Sequence, residues 1–134
     1  MRTFLKYHLP AILYAVLILS VSSIPWLKVP QIRHFATDKV AHFIEYGIFA
    51  FLIFRSLAHL PLLARNNLTL PAAVLFVAAF AYLDEIYQLH IPGRHSDMAD
   101  YAADLAGALL ILGLTWLRHR NRRPQSPDER PESA

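Results

Sequence analysis

Cysteine is absent from the 134-residue chain. That excludes a disulfide framework, thiolate chemistry and any zinc site built on Cys ligands. Also missing is a basic face interleaved with aromatic residues. The formal net charge of +3 therefore does not imply a nucleic-acid groove, and nucleic acid is not an expected partner. No internal repeat of the kind many transporters carry is visible, which weighs against alternating access in so short a chain. What the chain has in excess is apolar residues. They make up 55% of it, against roughly 45–50% for an ordinary soluble domain.

The apolar residues fall into four runs, at 9–27, 38–57, 68–88 and 97–117. At about 1.5 Å per residue each is long enough to cover about 30 Å of hydrocarbon as a helix. A helix satisfies its own backbone in lipid. The expected fold is therefore an all-α membrane protein with four transmembrane helices in a compact bundle. Residues 1–120 form one transmembrane domain, and the proline-rich polar tail 121–134 is expected to be disordered. With four spans, one side of the membrane carries Arg2, Lys6, Arg55, Arg65, Arg118, Arg120, Arg122, Arg123 and Arg130, and the other only Lys28, Arg33, Lys39 and Arg94. The richer side marks the cytoplasm, so both termini are expected there, in a bacterial inner membrane. A rival for the first run is a signal peptide ending at "SVSS". Its removal would leave the remaining loops on the same sides.

Three of the ten acidic residues lie in the tail. The other seven, Asp38, Glu45, Asp84, Glu85, Asp97, Asp100 and Asp104, all fall at the outer ends of spans two to four or in the loop joining spans three and four. Segments remote in sequence thus converge on one leaflet. Asp38, His42 and Glu45 recur at i, i+4, i+7, and Lys39, His42 and Tyr46 at i, i+3, i+7, sharing one broad helical face. Asp84 and Glu85 lie four and three residues before Gln88. Asp97, Asp100 and Asp104 recur at i, i+3, i+7. Beside them Ala99, Ala103 and Gly107 form a small-residue row suited to close helix packing, so the carboxylate face of span four should point away from lipid.

Plainer roles account for part of this set. Thr37 or Asp38 can cap span two, and Ser96 or Asp97 can cap span four. Capping does not extend to Asp104, which lies about 10 Å beyond Asp97 along the axis. Nor does it cover Asp84 and Glu85, near a helix C-terminus where the dipole disfavours negative charge. His34, His59 and His119 read as headgroup-level residues, and Tyr14, Tyr82, Trp26 and Trp116 as interfacial or packing aromatics. His42, a turn inside its helix, reads as functional. Ionisable residues inside a membrane are costly and point to function. "IPGR" reads as a type II turn with Pro92 at i+1 and Gly93 at i+2. It should carry Arg94 to the outer mouth, where a guanidinium suits a phosphate or carboxylate.

Three phrases together, "DKVAHFIEYG" (38–47), "DEIYQLHIPGRHSDMADYAAD" (84–104) and "LAGALLILG" (105–113), resemble the VanZ-like family of small bacterial membrane proteins. The combination is far more specific than any one piece, and the likeness runs from about residue 10 to 117. It implies a membrane protein whose founding relative lowers susceptibility to the lipoglycopeptide teicoplanin. It implies neither a defined biochemical activity nor that this chain confers resistance. By position, the polar residues of the resemblance are Asp38, Lys39, His42, Tyr46, Asp84, Glu85, Gln88, Arg94, Asp97, Asp100 and Asp104.

Three functional readings stay open from sequence. The first is binding or handling of a lipid headgroup, a lipid-linked wall precursor or an amphiphile, with Arg94 and Lys39 on a phosphate and the carboxylates on amine or hydroxyl donors. The second is a membrane hydrolase or transferase acting on a phospho- or glycolipid, using Asp, Glu and His as acids and bases. The third is an ion-pair network that only locks the bundle, although buried ionic networks are weak evidence for stability. A divalent cation is also left open. Excess carboxylate suits Mg²⁺ or Ca²⁺, and His42 with two carboxylates suits Zn²⁺.

Overall fold

The computed structural model describes residues 1–25, 35–94 and 96–121, without the side chains of 35–37 and 119–121. Trp26, Lys28, Arg33, His34 and the tail from 122 lie outside the described residues, as do the side chains of Thr37 and His119.

A π-helical turn, Phe4–His8, runs directly into α1 (Leu9–Ser22). The apolar run expected to reach residue 27 stops here because Pro25 disfavours a helical backbone at the residue before it. The helix α2 (Phe35–Leu57) begins three residues before the expected position, so Asp38 lies within its first turn and does not cap it. A short helix, α3 (Pro61–Arg65), was not expected. Proline occupies its first turn, where a missing N–H is harmless. The chain then reverses through Asn67, which adopts φ 56°, a conformation asparagine tolerates. Two long helices follow, α4 (Thr69–Gln88) and α5 (Met98–Asn121). Among the described residues there is no strand. Four stretches, Phe4–Ser22, Asp38–Leu57, Thr69–Gln88 and Met98–Arg118, are long and apolar enough to cross a membrane.

Each long helix divides into two faces. On α2, Val40, Ile44, Ile48 and Phe51 are exposed while Tyr46, Phe49 and Ile53 are buried. On α4, Leu75, Phe76, Tyr82 and Leu83 face outward, and Ala73, Val77 and Ala81 face inward. A broad exposed apolar belt would be an aggregation hazard in water but is the surface that acyl chains require. The core is centred on Phe49, whose ring lies 4.8 Å from that of Phe80 and meets Tyr46 edge-on at 6.0 Å. Ile18 of α1, Val77 of α4 and Leu112 of α5 complete it. The helices α2, α4 and α5 pack mutually, and α1 lies against α2 and α4.

The closest approach is between α2 and α5. A Cβ built at Gly107 would stand 2.0 Å from the carbonyl oxygen of Phe43, so the two backbones touch with no room for a side chain. This contact is made by Gly107 of the small-residue row read on span four. At the opposite end of the bundle, His8 Nδ1 lies 2.7 Å from Ser56 Oγ, Tyr7 stacks on His59, and the Arg55 guanidinium donates to the Lys6 carbonyl. Basic residues of the first helix and of the end of α2 thus gather at one end, and the acidic residues among the described ones at the other.

Candidate functional site

The acidic end is assembled in levels, counted inward from the loop before α5. At the rim, Lys39 of α2 donates to Asp97 Oδ2 at 2.7 Å and to Asp100 Oδ1. Asp97 also caps α5. Its Oδ1 accepts from the Ala99 N–H at 2.8 Å, the usual office of an N-cap carboxylate. Lys39 holds the Asp97 carboxyl, just outside the α5 span, below the ordinary carboxylate range. Asp38 is exposed at the same rim, and its carboxylate, one His42 nitrogen and an Asp100 oxygen lie within 4.8 Å of one another.

One level down, His42 Nδ1 pairs with Asp104 Oδ1 at 3.0 Å. Asp104 is 1% exposed. Glu85 of α4 closes this level, and His42, Glu85 and Asp104 each bring one donor atom within 4.8 Å of the other two. Glu85 is buried, and its Oε2 accepts the Asp97 backbone N–H at 3.0 Å.

Beside this level, Asp84 Oδ2 gathers three donors: the Ser22 hydroxyl at 3.0 Å, the Tyr46 hydroxyl at 3.3 Å and the Gln88 amide at 3.4 Å. This answers how an aspartate survives near the C-terminus of an apolar helix. Side-chain donors from three helices compensate it. Asp84 Oδ1, by contrast, is buried without a partner. Glu45 is half-buried within electrostatic reach of His42, Asp104, Asp84 and Arg94.

The turn before α5 forms as expected. Gly93 has φ 80°, and the Arg94 N–H donates to the Ile91 carbonyl at 3.1 Å, which defines a type II turn with glycine at i+2. Gly93→Ala forces a side chain into this left-handed conformation and is expected to cost about 1 kcal/mol, read as a lowered unfolding midpoint. Arg94, however, does not stand free at the mouth. Its Nη2 donates at 2.9 Å to the Val21 carbonyl in the last turn of α1, an oxygen that also accepts the Ile24 N–H at 3.1 Å. Its Nε is buried without a partner. Lys39 is likewise engaged, by two carboxylates, rather than presented as an isolated positive point.

The structure therefore brings the eleven residues read from sequence to one end of the bundle, with Arg94 set aside toward α1. Sequence reasoning missed Ser22 and the Val21 carbonyl, and left Glu45 out of the cluster. The serine in "SVSS" was the available signal for Ser22. A backbone carbonyl leaves none.

Four membrane-length helices with buried ionisable groups at one end define a multi-pass membrane protein with a polar site inside its bundle. The VanZ/LLP1 family profile matches residues 4–119, and the chain belongs to that family. No curated protein and no solved structure matches it significantly.

Proposed function

We propose that the acidic end opens on the outer leaflet of a bacterial inner membrane, with both termini in the cytoplasm. There it binds the headgroup of a membrane lipid, a lipid-linked cell-wall precursor or another amphiphile. The observation that carries this reading is a cluster of largely buried ionisable groups drawn from α2, α4 and α5, set directly behind lipid-facing apolar surfaces. A headgroup would meet the polar groups while its chains lie along the exposed belt. The gathering of Lys6 and Arg55 at the opposite end supports the orientation through the positive-inside bias.

The chemistry of the ligand follows from the balance of charge. Seven carboxylates stand against Lys39, Arg94 and His42 in this part of the chain, so the acidic end suits a ligand that supplies amine, hydroxyl or sugar donors. The orphaned Arg94 Nε–H suits one phosphate or carboxylate oxygen. Teicoplanin, which carries an acyl chain, is one amphiphile whose anchoring such a site would affect.

Native mass spectrometry of the chain with phosphatidylethanolamine and phosphatidylglycerol tests the reading. Arg94→Ala is expected to weaken headgroup binding about tenfold or more, the value of one lost charge-assisted hydrogen bond. Unaltered affinity in a variant with an unaltered unfolding midpoint counts against it. The His42–Asp104 pair supports a second reading, a hydrolase or transferase acting on a phospho- or glycolipid, because a carboxylate that orients an imidazole is what a general base requires. Release of phosphate or sugar from lipid by the purified chain, lost in Asp104→Asn, separates catalysis from binding.

A further inference from the structure

Lys39 is bound by Asp97 and Asp100 at the rim. The level beneath holds Glu85 and Asp104 with no lysine or arginine hydrogen-bonded to either among the described residues. These two carboxylates and His42 come from three different helices, and their donor atoms lie within 4.8 Å of one another. Around a divalent transition ion, with ligand bonds of about 2.1 Å, neighbouring donors stand roughly 3.0–3.4 Å apart. The 3.0 Å separation of His42 Nδ1 and Asp104 Oδ1 already falls in that range. Glu85 offers the third donor atom, within 4.8 Å of both.

A separate observation points the same way. Asp84 is 4% exposed, yet its Oδ1 has no hydrogen-bond partner. A buried carboxylate oxygen left in this state calls for a water or an ion. Asp84 interacts electrostatically with both His42 and Asp104, so its charge belongs to the same polar core. A second possible triad, Asp38, His42 and Asp100, is less suited, since Asp38 is exposed and Asp100 is already paired with Lys39.

We infer that His42, Glu85 and Asp104 form a binding site for one divalent transition cation, with Asp84 adding compensating charge from the adjoining level. One imidazole nitrogen with carboxylate oxygens is a donor set for Zn²⁺ or Mn²⁺, whereas Mg²⁺ and Ca²⁺ favour sites made of oxygen alone. The site stands whether or not a lipid headgroup binds above it.

The test uses the full chain, purified without a histidine tag, equilibrated with Zn²⁺ or Mn²⁺ and freed of excess ion before elemental analysis. About one ion per chain is expected to be retained. Glu85→Gln and Asp104→Asn should each lower retention at least tenfold. Both substitutions keep an acceptor for the existing hydrogen bonds, so the bundle should fold. Asp38→Asn should retain the ion as the unaltered chain does. A wild-type readout needs no variant: pulsed electron paramagnetic resonance of the Mn²⁺ form should show coupling to a single imidazole nitrogen. Failure of the unaltered chain to retain either ion overturns the inference. So does retention undiminished in both Glu85→Gln and Asp104→Asn, loss in Asp38→Asn equal to theirs, or a Mn²⁺ spectrum without nitrogen coupling. Lipid binding measured on the same samples is scored independently. Metal retained without headgroup binding defeats only the headgroup reading, and headgroup binding without metal defeats only this one.

Discussion

Gly107→Ala is expected to destabilise the bundle by about 3 kcal/mol or more, the upper part of the range for forcing extra atoms into a packed interior. The added Cβ would lie 2.0 Å from the Phe43 carbonyl oxygen and 3.0 Å from its Cα, and neither can move without displacing α2 itself. Gly47→Ala should be milder, since its nearest neighbour is the Ile111 side chain at 3.2 Å, which can rotate away. Gly113→Ala meets nothing within 4 Å and should be neutral or stabilising by up to about 1 kcal/mol, the difference in helix propensity. Thermal unfolding of the three variants in one detergent checks the series. A Gly107→Ala midpoint equal to that of Gly113→Ala would sink the claim of backbone contact. The damage should also extend to the polar site. His42 immediately precedes Phe43, and Asp104 lies three residues before Gly107, so a wedge at the crossing separates the two members of the imidazole–carboxylate pair.

Asp104→Ala is expected to cost about 3 kcal/mol, because it leaves the His42 imidazole without its buried acceptor and opens a polar void. Asp104→Asn should cost markedly less, since the amide oxygen still accepts from the imidazole. The comparison separates hydrogen bonding from charge. Equal unfolding midpoints for the Ala and Asn variants would mean that the hydrogen bond at 3.0 Å contributes little. The rim should be more forgiving. Asp97 is partly solvated, so removing its carboxylate should disturb the bundle less than removing that of the buried Asp104.

Much of this arrangement is legible in the sequence, for identifiable reasons. Apolar run length marks the four spans because lipid demands continuous hydrophobic surface. The i, i+3, i+7 spacing of Asp97, Asp100 and Asp104 places them on one face of α5, and two of the three are buried. The Pro92–Gly93 turn was readable because only a residue that tolerates positive φ fits there. The exact partners were less legible. Ser22 shows in the sequence only as one hydroxyl of "SVSS", and that signal does not tie it to Asp84 sixty-two residues away. The guanidinium of Arg94 was expected to face outward because its hydrogen bond goes to a backbone carbonyl, which every residue possesses and no residue advertises. Asp38 looked like a cap because the helix start was placed three residues late. The short helix Pro61–Arg65 lies in a connection too brief for periodicity to show.

The contribution of α1 has a further consequence. It supplies the site with a hydroxyl from Ser22 and a carbonyl from Val21, while each ionised member of the cluster belongs to the chain from α2 onward. The polypeptide is therefore divisible. Severed between residues 25 and 35, its short amino-terminal piece brings the charges of Arg2 and Lys6 to the far end of the bundle and none to the polar site; it covers a remainder of three long helices, and the two fragments, expressed apart in one membrane, have the complementary surfaces to reassemble.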